Sequence, residues 1–295
     1  MKEKTIYALG FFDGVHLGHQ ALLTACRDLA QAHGCKAGAV TFLGHPDTLV
    51  HGRTPMLINT PQDRKKLLRQ FHMDKVVELP FDRAMMTMPW QAFVEMLVET
   101  HDAAGFVCGH DFHFGDRGAG TAALLQGWCR ERDLPCAVIP EQMLDGITVS
   151  STYIRSLLEA GELEQAIRYM GHPHILVGTV VSGRKLGRTI GVPTANLCLP
   201  EDVVQLPHGV YACKAVVDQK AYLAVTNIGS RPTVGGHRVT VEPWLLDFEG
   251  DLYGKEITLC FHSFLRPEKK FDSLEELKAE IQENALQTRK FFEKT

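Results

Sequence analysis

The stretch GFFDGVHLGHQALL, residues 10–23, decides the fold of the first half of the chain. It follows a short apolar run, Thr5 to Leu9, and leads into a helical pattern from Gln20 to His33. Gly10, Gly14 and Gly18 thin the turn between the two, and His16 and His19 sit three apart where the helix begins. Two imidazoles and the free backbone N–H groups of a helix N-terminus then face one spot. Such a spot suits phosphate: the orphan donors and the positive end of the helix dipole attract an anion, and histidine can donate to charge building on an attacked phosphorus. Gly10, Asp13, Gly14 and Gly18 are the predicted phosphate-binding positions around His16 and His19. No GxxxxGK[ST] loop occurs anywhere and no GxGxxG follows the strand, which argues against a P-loop ATPase and a dinucleotide oxidoreductase.

Outward from this turn, short apolar runs keep alternating with helical stretches: Ala37 to Phe42 before Gln62 to His72, Val76 to Leu79 before Trp90 to Glu99, and Phe106 to Cys108 before Thr121 to Arg132, with Ala137 to Ile139 last. Strand, helix, strand in that order predicts parallel pairing with right-handed crossovers, a doubly wound α/β sheet. After residue 174 the pattern changes to ILVGTVV, GVYACKAVV, AYLAVTNIG, RVTVEPWLLDF and EITLCFHSFL, consecutive β-rich runs with no helix between them. These predict an antiparallel sheet or small barrel. One long helical pattern closes the chain from Ser273 to Phe292, with Ser273 placed to cap it. The expected fold class is therefore α/β plus β with a terminal helix, divided near residue 172 into domains 1–172 and 173–295. Between them, TVSSTYIRSLLEAGELEQAIRYMGHP reads as two short helices broken at Ala160-Gly161.

The chain's 295 residues allow about two domains at roughly 100–200 residues each. Its net charge of -4 lies wholly in residues 1–172, which carry 16 basic and 20 acidic groups against 15 of each in residues 173–295. A mildly acidic sum argues against a nucleic-acid-coating protein, although a local basic patch remains open. The eight cysteines form no CxxC pair and read as reduced structural thiols. No stretch approaches the roughly 18 apolar residues of a spanning helix, and no signal peptide stands at the N-terminus. The expectation is a soluble cytoplasmic protein without membrane or nucleic-acid partners.

SSTYIR, Ser150 to Arg155, follows the last parallel strand and opens another helix. Ligands in such sheets bind beyond the carboxyl ends of the strands, so the first and last loops can converge there. Alone, SST serves equally as an N-cap or a site. Paired with HxGH, it sets the histidines at the α-phosphate and Arg155 at the β and γ phosphates of a leaving pyrophosphate. In the second half, GRKLGRTIGVPTAN gathers Gly183, Gly187, Gly191 and Lys185 before Thr194 and Asn196. Glycines let backbone N–H groups approach phosphates, and Thr194 and Asn196, alternating on one face of an extended segment, can support Mg²⁺ already bound to nucleotide. A basic Gly-rich hairpin loop is the equal alternative. Glu242 lies inside an otherwise apolar strand, where a carboxylate is costly unless it works or is paired; it can deprotonate an alcohol attacking ATP.

Together these motifs resemble the bifunctional riboflavin kinase/FMN adenylyltransferase family, the prokaryotic FAD synthetases, from Gly10 to about Phe271. GFFDGVHLGHQ resembles the family's GxFDGxHxGHQ, TFLGHP at 41–46 its TFxPHP, GHDFHFG at 109–115 its GxDFxFG, and SSTYIR its SSTxIR. GxxxGxxxGxPTAN, GVY at 209–211, NIGSRPT at 227–233, VE...LDFxGDLYG and RPEKKF at 266–271 are similar to its riboflavin kinase pattern. The resemblance implies a Rossmann-like nucleotidyltransferase domain and a riboflavin kinase-like β-barrel. It implies phosphorylation of riboflavin to FMN with Glu242 as base and Mg²⁺-ATP at Thr194 and Asn196, then transfer of AMP from ATP to FMN, giving FAD and pyrophosphate. His16 and His19, with Ser151, Thr152 and Arg155 as partners, would act on the ATP phosphates; His45, Pro46, Asp111 and Asn227 would lie toward flavin. Gly44, His113 and Asn284 depart from the family's usual proline, arginine and aspartate. Two other readings compete: an HxGH nucleotidyltransferase for another acceptor, such as a phosphopantetheine or pyridine mononucleotide, and a barrel that binds nucleic acid through Arg184, Lys185 and Arg188.

Overall fold

The computed structural model describes residues 3–50, 52, 55–181, 191–233 and 236–294. The chain forms two compact units, residues 1–57 with 61–151, and residues 58–60 with 152–295.

In the first unit, strands β1 (Thr5–Leu9), β2 (Lys36–Phe42), β3 (Lys75–Leu79), β4 (Ala103–Gly109) and β7 (Cys136–Ile139) form one sheet in the order β3-β2-β1-β4-β7. Every neighbouring pair is parallel, as the alternation of strands and helices predicts. Helices α1 (Leu17–Ala32), α3 (Pro61–Gln70), α5 (Trp90–His101) and α6 (Ala122–Arg130) supply the crossovers, with short helices α2 (Pro46–Val50) and α4 (Arg83–Met86) between them. β1 is buried along its whole length, because it is the central strand and is covered on both faces. The core gathers Tyr7, Leu9, Val40, Phe93, Leu97, Phe106 and Leu125. The strand order reverses between β1 and β4, and ligands in open parallel sheets bind outside the carboxyl ends of the strands at such a switch.

Two small hairpins stand apart from the sheet: β5 (His113–Phe114) with β6 (Gly120–Thr121), and β8 (Met143–Leu144) with β9 (Ile147–Thr148). The second turns on Asp145-Gly146, both at positive φ, a two-residue connection of the kind that favours Asp-Gly.

The second unit opens with α7 (Ser151–Ala160), whose first residue belongs to the first unit, and α8 (Leu163–Met170), which ends at Gly171 in the left-handed region. A six-stranded antiparallel sheet follows, built from β10 (His174–Thr179), β11 (Leu197–Cys198), β12 (Gly209–Val217), β13 (Lys220–Thr233), β14 (Gly236–Leu245) and β15 (Glu256–Pro267) in the order β10-β15-β12-β13-β14-β11. The two edges are drawn together where Val181 N donates to Asn196 O at 2.9 Å, so the sheet curls into a near-barrel. The terminal helix α9 (Leu274–Glu293) packs against β12 and β13. Ser273 caps it by accepting from Glu276 N.

The compact units part at Ser151–Thr152, ahead of the sequence boundary at residue 172. The physical reason lies in α8, which buries Leu163, Ala166, Tyr169 and Met170. Its Glu164 carboxylate also accepts from Ser263 Oγ on β15 at 2.7 Å. Residues 58–60 join the same unit: Ile58 is buried, and Asn59 Nδ2 donates to Ile175 O.

Candidate active sites

The first site is built on the turn between β1 and α1. Phe12, Gly14 and Val15 hold φ values of 59°, 79° and 37°. A β-branched residue in the left-handed region is a strained arrangement that surrounding contacts must hold. Gln20 Nε2 donates to Val15 O at 2.9 Å, and Ser151 Oγ donates to Asp13 O at 2.9 Å. The last loop of the sheet therefore meets the first, as SSTYIR and HxGH together suggest. α1 begins at Leu17, one turn earlier than its apolar periodicity indicates, because His16 Nδ1 caps it by accepting from His19 N at 3.3 Å. A side chain at Gly18 would meet the His16 ring at 3.1 Å, so glycine makes room for the imidazole.

The His16 and His19 rings stack, with centroids 3.6 Å apart and planes 19° from parallel. Burial, then the neighbouring His16 and the Arg64 guanidinium, push the His19 imidazole well below its usual pKa. His19 is therefore neutral in the free protein, which permits the stacking. Both histidines line a cavity of about 420 Å³ with Gly10, Gly18, Asp111 and Ser151. It opens beyond the carboxyl ends of β1, β4 and β7, where Leu9, Gly109 and Ile139 reach it, at the switch in strand order.

Of the other predicted residues, Asp13 and Gly14 are buried in the turn. His45 stacks edge-on against Phe11, a cavity residue, at 4.6 Å and accepts from Asp47 N; Pro46 begins α2. Thr152, exposed, and Arg155, partly buried, belong to α7 in the second unit. At Gly44 a side chain would enter open space, so the departure from proline relaxes the backbone without opening a contact. His113 is exposed, its Nδ1 2.7 Å from Asp111 O. His110, Glu141, Gln142 and Thr148 also line the cavity without having been read as site residues. The Asp-Gly hairpin that presents the last three was the available signal.

The second site lies inside the second unit. Glu242 on β14 stands opposite Asn227 on β13 and accepts from Thr240 Oγ1 at 3.2 Å. Both line a cavity of about 370 Å³ with Thr194, Trp244 and residues of α9. Thr194 lies on a segment anchored where Ala195 N donates to Pro243 O at 2.8 Å. Asn196, two residues on and just ahead of β11, is not among the cavity-lining residues. Gly191, at φ 77°, begins this segment. Gly183, Lys185 and Gly187 lie outside the described residues, as do Arg184 and Arg188.

The far wall comes from RPEKKF, matched by motif but given no site role in the sequence reading: Arg266, Glu268, Lys269 and Phe271. Arg266 Nε and Lys269 Nζ each lie 3.1 Å from a Glu280 oxygen. Lys269 first, with Arg266, holds the Glu280 carboxyl below its ordinary pKa. Arg266 Nε also donates to Asn284 Oδ1 at 3.2 Å, so Asn284 accepts from the arginine without adding a charge to this network.

Known proteins match both units. The FAD synthetase family matches residues 1–153 and the riboflavin kinase family residues 170–292. Proteins from Listeria monocytogenes and Escherichia coli, each named bifunctional riboflavin kinase/FMN adenylyltransferase, are 34% identical over 98% and 99% of this chain and 93% and 94% of their own length. The chain belongs to the bifunctional riboflavin kinase/FMN adenylyltransferase family. A Pseudomonas fluorescens protein of the same name is 37% identical over 94% of this chain and 89% of its own. A Streptococcus pneumoniae crystal structure, described as a macrolide-efflux protein, superposes with a TM-score of 0.83 at 27% identity, covering 98% of this chain and 95% of that one. Among the described residues no helix is long and apolar enough to cross a membrane. The stacked-histidine cavity thus belongs to a FAD synthetase domain, and the Glu242 cavity to a riboflavin kinase domain.

Proposed function

We propose that the protein makes FMN from riboflavin and ATP at the Glu242 cavity, and FAD from FMN and ATP at the His16–His19 cavity. In the first step the ribityl 5′-hydroxyl attacks the γ-phosphorus of ATP. The new O–P bond forms as the bond to the β-phosphate oxygen breaks, ADP leaves, and Glu242 takes the hydroxyl proton. Asn227, facing Glu242 across the β13–β14 ladder, orients the flavin alcohol. In the second step an FMN phosphate oxygen attacks the α-phosphorus of ATP, and pyrophosphate departs with the electron pair of the broken P–O bond. His16, His19 and the N-terminus of α1 stabilise the charge on the phosphate, Ser151 holds the turn, and Thr152 and Arg155 serve the leaving pyrophosphate. His45, Pro46 and Asp111 serve the flavin end. The functional boundary near residue 172 is part of this reading, since SSTYIR then works with the adenylyl-transfer site.

Thr194 and Asn196 supply hard oxygen donors, and among the described residues no cluster of three or more His, Cys, Asp or Glu side chains could hold a metal. That donor set fits Mg²⁺ arriving on ATP, with Thr194 in the same cavity as Glu242. When bound, Mg²⁺ neutralises phosphate charge. ATP, riboflavin and FMN are the proposed partners. A twofold demand for ATP and eight cysteines outside any disulfide support a cytoplasmic location.

The observation that carries the proposal is the stacked His16–His19 pair at the switch point of a parallel sheet, on the same chain as a carboxylate lining a cavity of the second unit. Incubation of the purified protein with riboflavin, ATP and Mg²⁺, followed by chromatography of the flavins, is expected to show FMN and then FAD. A folded protein that forms neither is not this enzyme.

A further inference from the structure

Arg64 is the largest fully buried side chain among the described residues, at 0% exposure, although it comes from PQDRKKLLRQ, a helix crowded with charge. A guanidinium taken wholly out of water is expensive unless its surroundings use it. Its Cζ lies 4.2 Å over the centre of the Phe11 ring, within cation–π range, and Nη2 donates to Phe42 O. Nε and Nη1 have no hydrogen-bond partner among the described residues. The carboxylates of Asp13 and Glu78 act on it from the turn and from β3, opposing the burial that lowers its pKa to about 10, so it remains charged at neutral pH.

The Phe11 contact adjoins the strained segment of the first site. Phe11 lines the cavity, and Asp13 lies among the residues with left-handed backbone that aim His16. Ser151 holds this turn through Asp13 O; Arg64 holds it from the α3 side. We propose that Arg64 is a positioning residue for adenylyl transfer, its buried guanidinium clamping the phosphate turn between the Phe11 ring and Phe42 O so that His16 and His19 are aimed at ATP. This rests on the adenylyl-transfer reading of the His16–His19 cavity. A fixed charge behind the turn also adds positive potential where phosphate binds, at no reorganisation cost when ATP arrives.

The test is steady-state FMN adenylylation by Arg64→Met and Arg64→Lys, with the far-ultraviolet circular dichroism and thermal unfolding profile of the same preparations as the folding control and riboflavin phosphorylation as the control for protein amount. Arg64→Met is expected to lower the adenylylation kcat at least 30-fold while the KM for ATP changes less than threefold, because the turn is misaimed more than ATP is lost. Arg64→Lys, which keeps the charge, is expected to recover at least fivefold of that loss. A wild-type kcat in Arg64→Met, or a lysine variant no better than the methionine variant, overturns the proposal. Should Arg64→Met fail to fold, Arg64→Lys and Phe11→Leu are combined. Effects on kcat that couple in the double variant are expected, and strictly additive effects overturn the clamp. The paired His16→Ala/His19→Ala variant separates the two claims. If it still makes FAD at the wild-type rate, the site reading itself fails; if it is inactive while Arg64→Met is normal, only the role of Arg64 fails.

Discussion

His174, 3% exposed on β10, keeps an imidazole where water cannot solvate its charged form. Burial first, then the neighbouring His172, pushes its pKa down to about 4. The unfolded chain takes up this proton near pH 6.5, whereas the folded protein does not until about pH 4. The folded-state pKa is depressed, so the contribution is complete above pH 6.5 and is lost as pH falls from 6.5 toward 4, by up to about 1.4 kcal/mol per pH unit. Urea midpoints at pH 7.5, 6 and 5 are expected to fall steadily, and His174→Gln to flatten that fall; an unchanged slope in the variant excludes the histidine as the cause. At this scale the sequence was uneven. Two histidines three apart after a glycine turn mark the cavity they line through spacing alone, and Glu242 marks its own through its apolar neighbours. Arg64 carries no such mark, because a cation among Lys65, Lys66 and Arg69 reads as one more solvated charge until the packing of α3 is known.

Among the elements, α9 shows how a short signal fixes an end. Ser273 accepts from Glu276 N, and Glu276 returns a carboxylate contact to Asp272 N at 3.3 Å, close to a reciprocal capping box. Ser273→Ala is expected to cost about 1 kcal/mol, read as a lower unfolding midpoint of the kinase half, while Ser273→Asp keeps the wild-type value. Because α9 forms one wall of the Glu242 cavity, its anchoring also bears on riboflavin binding. Elements with strong periodicity were legible: β1 and β12 match their apolar runs residue for residue. What escaped were the two-residue strands β5, β6, β8, β9 and β11, too short to show a period. The start of α1 also escaped, set by a histidine cap outside the usual Ser, Thr, Asp and Asn. The clustering of RPEKKF around the kinase cavity depends on how β15 and α9 meet, a long-range event that no local pattern encodes.

Across the whole molecule, two architectures with different folding logic carry one reaction sequence. The parallel sheet opens a cavity where its strand order reverses, and the curled antiparallel sheet sets a carboxylate in a cavity between strands and a helix; these are the sites proposed for the two steps. Each cavity is lined by residues of a single compact unit, and the two proposed steps divide the same way apart from Thr152 and Arg155. The most direct test of that separation gives Glu242→Gln and the paired His16→Ala/His19→Ala variant, in turn, riboflavin or FMN with ATP and Mg²⁺, and resolves the flavins by chromatography. Glu242→Gln is expected to convert FMN to FAD while forming FMN from riboflavin at least roughly 100-fold more slowly, and the histidine variant to make FMN and stop there. A Glu242→Gln enzyme that phosphorylates riboflavin at the wild-type rate, or a histidine variant that still makes FAD, would contradict the account.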